Sequence, residues 1–339
     1  MPVKLIHITD IYHPHADPDD HYDLSQIFAL SKMGEIKIEQ VIIDYPSSYD
    51  YGSPAICAVD QLNYLTNSNV QVTIGASVHE FRGKPQLWKS AEKNKVGAAE
   101  KIIEILDRVD VQANEMVFIN IAGGCLDTAI ALERSPEIFK DKCAGIVLNA
   151  GASFHRPGIQ EYNVALGALE YSKIFSAPCP VYWSPCYEKV VDQVGSYGTY
   201  YRFLQGEVFK QITKPLLNYF MYMLAKSQNS QHLDVLVNRS FEKGLIEEFC
   251  SMYRNMWCTG PIFSIAGKTV TIDGEIVPKG DTDKPVYEYE PIKITCTPDG
   301  VTEWEYDNLS AERFIFRVND LNKYETAMFK ALTTVLKEL

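Results

Sequence analysis

The stretch "LIHITDIYHPHADPDDHYDL", residues 5–24, sets five aspartates and four histidines directly behind an apolar run. That run, Val3–Thr9, has the β-branched and apolar make-up of a strand, carried by Val3, Leu5, Ile6 and Ile8. Carboxylates packed together repel one another and lose hydration. A chain that gathers them at the end of its first strand therefore needs something positive among them. What that is, and where the fold puts it, decides the reading.

Outward from this stretch, short β-branched runs alternate with helical patterns over the first 185 residues. Strands are expected at Val3–Thr9, 38–43, 70–74, 116–121, 144–149 and Val181–Trp183, with apolar-periodic helices at 24–33, 55–65, 96–106 and 126–132. This βαβα rhythm predicts an α/β fold, a mostly parallel central sheet flanked by helices. In such sheets ligands bind outside the carboxyl ends of the strands, where the acidic stretch falls. Residues 197–257 read as helical and aromatic. Short strands follow at 269–272 (ahead of the turn Asp273-Gly274), 287–297 and Thr302–Tyr306, with a closing helix at 321–336. With no low-complexity linker and no repeat, the expectation is one domain over 1–339 with a C-terminal helical and small β elaboration.

The 339 residues are 46% hydrophobic and 22% charged, an ordinary globular composition. A net charge of −12 argues against a nucleic-acid partner or an anionic membrane surface. No apolar run reaches the ~20 residues that span a bilayer. The start lacks a basic region ahead of a long apolar one, so no signal peptide is expected. The eight cysteines (57, 125, 143, 179, 186, 250, 258 and 296) form no CxxC pair and no zinc spacing. They read as reduced thiols of a cytoplasmic protein.

Three stretches could carry chemistry. Asp10 closes the first strand, and Asp19-Asp20 stand where the first helix should begin. Carboxylates there suit the helix dipole and can cap free N–H groups. With Asp10 beside them they equally suit a hard divalent cation such as Ca²⁺ or Mg²⁺. In "FINIAGGCLDTAIAL", residues 118–132, a strand runs into Gly123-Gly124 and then a helix; the glycines serve either a tight turn or close approach to a ligand. In "HRPGIQEYNVALGALEYSKIF", residues 155–175, Glu161 and Asn163 precede a helix, as cap or as ligand-binding pair.

Together these stretches resemble the inosine–uridine-preferring nucleoside hydrolase superfamily, as a divergent member. That family opens with a strand, Asp-x-Asp, a short turn, Asp-Asp and an apolar helix. It has a central strand ending in a small residue or Thr before Gly, and a Glu-Phe-Asn motif before a helix. The matching residues here are Asp10 with Asp19-Asp20, Ala122-Gly123-Gly124, and Glu161-Tyr162-Asn163, in the same order. The opening is closer to a branch reading Thr-Asp and then acidic-Pro-Asp-Asp, here Thr9-Asp10 and Asp17-Pro18-Asp19-Asp20. The close, "AERFIFRVNDLNKYETAMFKALTTVL", is similar to the family's last strand and helix.

The resemblance implies a Ca²⁺-dependent hydrolase of the N-glycosidic bond of a nucleoside or related N-ribosyl compound, with Mg²⁺ or another divalent ion as substitute. It implies Asp10, Asp20 and the main-chain carbonyl of Ala122 as metal ligands, and Asp19 as general base and ribose partner. Glu161 and Asn163 would bind ribose hydroxyls. His155 (or Arg156) falls where the family contacts the 5′ end of the sugar. Homodimers or homotetramers are implied by the same likeness. Carboxylates stabilise the oxocarbenium character of such a transition state, and a metal lowers the pKa of bound water.

Four departures qualify this. The opening loop is long, and its His13, His15 and His21 could bring nitrogen ligands to the metal. The family's late His-Asp pair matches Trp257-Cys258, which removes a hard ligand and a titrating proton; Asp234 is a distant substitute, and Trp257 could stack on a base. Leaving-group candidates are then His79, His155 and Tyr200. The Gly-Asn after the second strand is missing, with Asp44, Asp50 or Ser53 as alternatives. These departures keep a second expectation open, an inactive or altered relative that binds a sugar or nucleoside-like ligand.

Overall fold

The computed structural model describes residues 2–15, 17–47, 52–155 and 158–339. Nine strands form one sheet: β1 (Val3–Thr9), β2 (Ile36–Ile43), β3 (Val72–Ile74), β4 (Val117–Ile121), β5 (Cys143–Leu148), β6 (Val181–Trp183), β7 (Tyr287–Cys296), β8 (Thr302–Tyr306) and β9 (Arg313–Val318). Their spatial order is β8-β7-β9-β6-β5-β4-β1-β2-β3. The seven from β9 to β3 run parallel, while β7 and β8 pair antiparallel at one edge.

A central parallel strand is covered on both faces, which is why β1 reads as a near-continuous apolar run. Leu5 packs into one core with the helices Asp19–Lys32, Lys214–Leu224 and Tyr324–Leu336. Ile6 and Ile8 pack into the other, with the helices Gly97–Asp107 and Leu126–Arg134.

From β1 the chain winds outward through β2 and β3, then returns to β4 on the other flank of β1. The carboxyl ends of β1 and β4 thus flank the point where the winding reverses, the place where such sheets bind ligands. Gly123 makes that junction close. A Cβ added there would lie 2.6 Å from an Asp44 carboxylate oxygen, 2.8 Å from the Asp10 amide nitrogen and 3.0 Å from the Thr9 carbonyl carbon.

Two late regions differ from the sequence expectation. Residues 197–257 are not purely helical: Tyr201–Leu204 and Tyr253–Met256 form an antiparallel pair around four helices. Four-residue aromatic strands cannot be told from helix by periodicity. The small β portion near the C-terminus adds β7, β8 and β9 to the central sheet itself, while Lys268–Val270 pairs with Ile276–Pro278 around Gly274 at φ +78°. Among the described residues no helix is long and apolar enough to cross a membrane.

Gly123→Ala should lower stability by about 1–3 kcal/mol, because the backbone at Thr9 and Asp10, and not the Asp44 side chain alone, must yield to the new methyl. Urea unfolding checks this, and an unchanged midpoint would refute the close junction.

Candidate functional site

A cleft of about 560 Å³ opens at the reversal point. Asp10 follows β1, and Ala122 follows β4 with its N–H donating to the Ile8 carbonyl at 2.8 Å. Asp19 and Asp20 form the first turn of the helix Asp19–Lys32, behind Pro18. Glu161 and Asn163 come from the segment after β5. All six residues line the cleft, together with Asp17, Trp257 and Cys258.

Asp20 is tied to β1, its Oδ1 accepting from Thr9 Oγ1 at 2.9 Å. Burial raises the pKa of Asp10 to about 7, helped by the charges of Asp17 and Glu161. Burial and then the neighbouring aspartates raise Asp19 and Asp20 well above the usual carboxylate range, and Asp17 and Asp19 hydrogen-bond to each other. Burial and mutual repulsion thus both disfavour the charged forms of these acids.

Glu161 realises its capping alternative. Its carboxylate accepts from the backbone N–H groups of Gly151 at 2.8 Å, Asn163 at 3.0 Å and Val164 at 3.2 Å, at the start of the helix Tyr162–Leu166. Asn163 Nδ2 lies 3.4 Å from the carbonyls of both Ala122 and Asn149, and its Oδ1 is buried without a partner. The Trp257 ring lies 5.7 Å from that of Tyr200, with its Nε1 buried and unpaired. His155 is exposed and lines an adjoining cavity of about 340 Å³, which shares Ile159, Gln160 and Glu161 with the cleft.

Other candidates fall elsewhere. His13 stacks on Tyr222 and bonds the Ser227 carbonyl, and His21 is buried against Tyr219. Neither these two nor His15 lines the cleft. His79 packs against Tyr45, and Asp234 bonds Asn238 on its own helix. Tyr200 donates to Asn255. Asp44 accepts from the Gly124 amide beneath the junction, and Ser53 is exposed in a two-residue bridge. Asp50 and Arg156 lie outside the described residues.

Sequence reasoning missed Asp23 and Asn149. Asp23 is fully buried, one turn beyond Asp19 on the same helix face, and neither of its oxygens has a regular hydrogen-bond partner. Its pKa is pushed up to about 7 by burial; the Cys258 thiol opposes that shift and Asp17 adds to it. Its spacing of four from Asp19, which puts both on one helix face, was the available signal. Cys258 is buried at the start of the helix Thr259–Ile265. At the position where the resemblance expects a late carboxylate the chain has Cys258, and a buried carboxylate faces it from 23.

By donor chemistry the cleft fits a hard divalent cation: Asp10, Asp20 and the Ala122 carbonyl offer oxygen donors, and the carboxylates that line it raise one another's pKa for want of positive charge. Among the described residues, however, no three His, Cys, Asp or Glu side chains already converge on one point.

Neither the protein-family models nor the curated proteins contain a match. Solved structures do match over nearly the whole chain. The inosine-uridine preferring nucleoside hydrolase of Bacillus anthracis aligns at 14% identity over 100% of both chains, with a TM-score of 0.51. The purine-preferring ribonucleoside hydrolase of Gardnerella vaginalis aligns at 13% identity over 98% of this chain and 99% of its own, with a TM-score of 0.58. The chain has the nucleoside hydrolase fold. The type III effector protein XopQ, complexed with adenosine diphosphate ribose, shares it at 11% identity, 99% and 95% coverage and a TM-score of 0.54. At such identities the likeness speaks for the fold, and activity must be argued from the cleft.

The raised carboxyls make a signed prediction. Asp10 and Asp23 hold protons in the folded state that an unfolded chain releases near pH 4, so their contribution to stability is fully present below pH 4 and is lost as pH rises toward 7. Each contributes a slope of about 1.4 kcal/mol per pH unit. Chelator-treated protein should therefore melt lower at pH 8 than at pH 5, and Asp23→Asn should recover part of the difference. Calorimetry checks both; a melting temperature that rises over this interval would contradict the assignment.

Proposed function

We propose that this chain is a divergent hydrolase of the N-glycosidic bond of a nucleoside or related N-ribosyl compound. What carries the reading is one juxtaposition: at the reversal point of a nucleoside hydrolase fold, a single cleft gathers Asp10, Asp19, Asp20, the Ala122 carbonyl and Asn163. Asp10, Asp20 and Ala122 are the proposed ligands of Ca²⁺, with Mg²⁺ as substitute; bound there, the ion supplies Lewis acidity and offsets the repulsion between carboxylates.

Asp19, on the cleft wall beside the proposed ligands, would accept the proton of an attacking water and hold a ribose hydroxyl once a cation's charge favours its ionised form. The carboxylates on the cleft wall favour positive charge developing at the anomeric carbon. Asn163 has a free buried acceptor for a sugar hydroxyl. Glu161, whose oxygens already hold three backbone N–H groups, fixes the turn that presents Asn163. Trp257 offers a flat apolar face to a base. It holds no titrating proton, so protonation of the leaving group cannot come from position 257.

A second reading is a non-catalytic relative that binds the same ligand class. Cys258 favours it, since sulfur is a poor ligand for a hard ion, and so does the absence of a converged ligand set among the described residues.

Calcium titrated into EDTA-treated protein separates the two. Binding to the folded state alone adds about 2.7 kcal/mol of stability at a hundredfold excess over Kd. The hydrolase reading expects a saturable rise in melting temperature, release of base from at least one member of a nucleoside panel, and loss of that release in Asp19→Asn with the fold unchanged. No calcium shift, with inosine or ADP-ribose binding but not cleaved, supports the binding protein. Cys258→Asp should tighten calcium binding about tenfold or more, and unchanged affinity would mean that 258 does not face the ion.

A further inference from the structure

Asn149 follows β5 and is 1% exposed on the cleft floor. Its Nδ2 lies 2.9 Å from the backbone carbonyl of Ile121 and 2.8 Å from Asn120 Oδ1. A main-chain carbonyl only accepts, so the atom facing it must be the amide nitrogen, which fixes the orientation of the Asn149 side chain. Both Nδ2 hydrogens are then used, and Oδ1 is left buried without a partner. The logic runs on beneath the sheet. Asn120 must present Oδ1 to Asn149, so its Nδ2 faces His7 Nδ1 at 3.0 Å. His7 therefore accepts at Nδ1 and carries its proton on Nε2. His7 and Asn120 stand side by side in the β1–β4 register, with Asn149 beyond them on β5's carboxyl end.

We propose that Asn149 is a substrate-binding residue whose Oδ1 accepts a hydrogen bond from a sugar hydroxyl, with Asn120 and His7 as positioning residues that hold the amide in that orientation. This rests on the reading of the cleft as an N-ribosyl site. An acceptor left unpaired in a buried floor costs stability, and a hydroxyl of the ligand or a water relieves it. Asn163 Oδ1 stands unpaired in the same cleft, so the two amides present acceptors only. That selects a ligand that brings hydroxyl donors, as a ribose diol does.

The first measurement needs no ligand. Imidazole ¹⁵N resonances of His7 should show the Nε2–H tautomer at pH 7, and the Nδ1–H tautomer would break the chain at its root. The second is titration with inosine and its 2′-deoxy and 3′-deoxy analogues. Asn149→Leu should weaken inosine about tenfold, the loss of one hydrogen bond, and should cost nothing further against the analogue that lacks the bonded hydroxyl. His7→Leu should weaken inosine by a smaller factor, with His7→Gln restoring it through a new acceptor for Asn120. Should Asn149→Leu fold and bind all three ligands as the parent does, the role of Asn149 falls while the N-ribosyl reading stands. If the unaltered protein binds none of them, with or without calcium, the N-ribosyl reading itself fails and takes this role with it.

Discussion

The organising constraint is electrostatic. Asp10, Asp19, Asp20 and Asp23 are drawn from one strand end and one helix start into a water-poor junction, and every one of them has its pKa raised by burial first. Folding alone does not explain such a choice, because each buried anion costs several kcal/mol unless it is paired or protonated. The hydrophobic work is done elsewhere, by two cores on the two faces of the sheet. Those cores hold the strand ends rigidly enough for the acids to stay together. The cleft is therefore a place where stability is given up, which is the pattern expected of a functional site.

Topology decides why these residues meet. Asp10 and Ala122 are far apart in sequence but end neighbouring parallel strands, and the return of the chain past β1 leaves a gap between their outgoing loops. Gly123 lets β4 turn away without pushing on Asp10 and Thr9. The helix that starts at Asp19 is tied back to β1 by the Thr9–Asp20 bond, so the acidic loop is held at both ends.

Most of the sheet was legible in the sequence because a parallel strand buried on both faces must be mostly apolar, and β1, β4 and β6 are, with buried exceptions such as His7 and Asn120. The acidic opening was legible because its residue types are so costly to bury. What the sequence hid had local causes. Glu161 reads equally as a cap or a sugar ligand, and only the three N–H groups around its carboxylate show how far the cap claims it. The strands at Tyr201–Leu204 and Tyr253–Met256 are too short for a period to register. Asp23 falls just before the helix expected at 24–33, and only the helix that begins at Asp19 shows it buried against Cys258. His155 sat at the right spacing for the sugar but on a segment that turns it into the adjoining cavity.

The pairing of an acid at 23 with a thiol at 258 bears on what the cleft does. A site that had simply lost its late carboxylate would be free to lose the matching polarity on the helix beneath it, since an apolar side chain at 23 would pack better against the core and remove an unpaired charge. The chain keeps an acid there, facing the thiol, in the least hydrated part of the junction. The same holds for the amides of Asn120 and Asn149 and the imidazole of His7, polar groups on central strands where Val or Ile would stabilise more. Each interrupts apolar surroundings, and they lead to one cleft: Asp23 faces Cys258 on its wall, and His7 and Asn120 end in a chain of hydrogen bonds at Asn149 on its floor. Cost concentrated at one place is hard to reconcile with a fold that serves only as a scaffold; it is the pattern of polar groups arranged around a site.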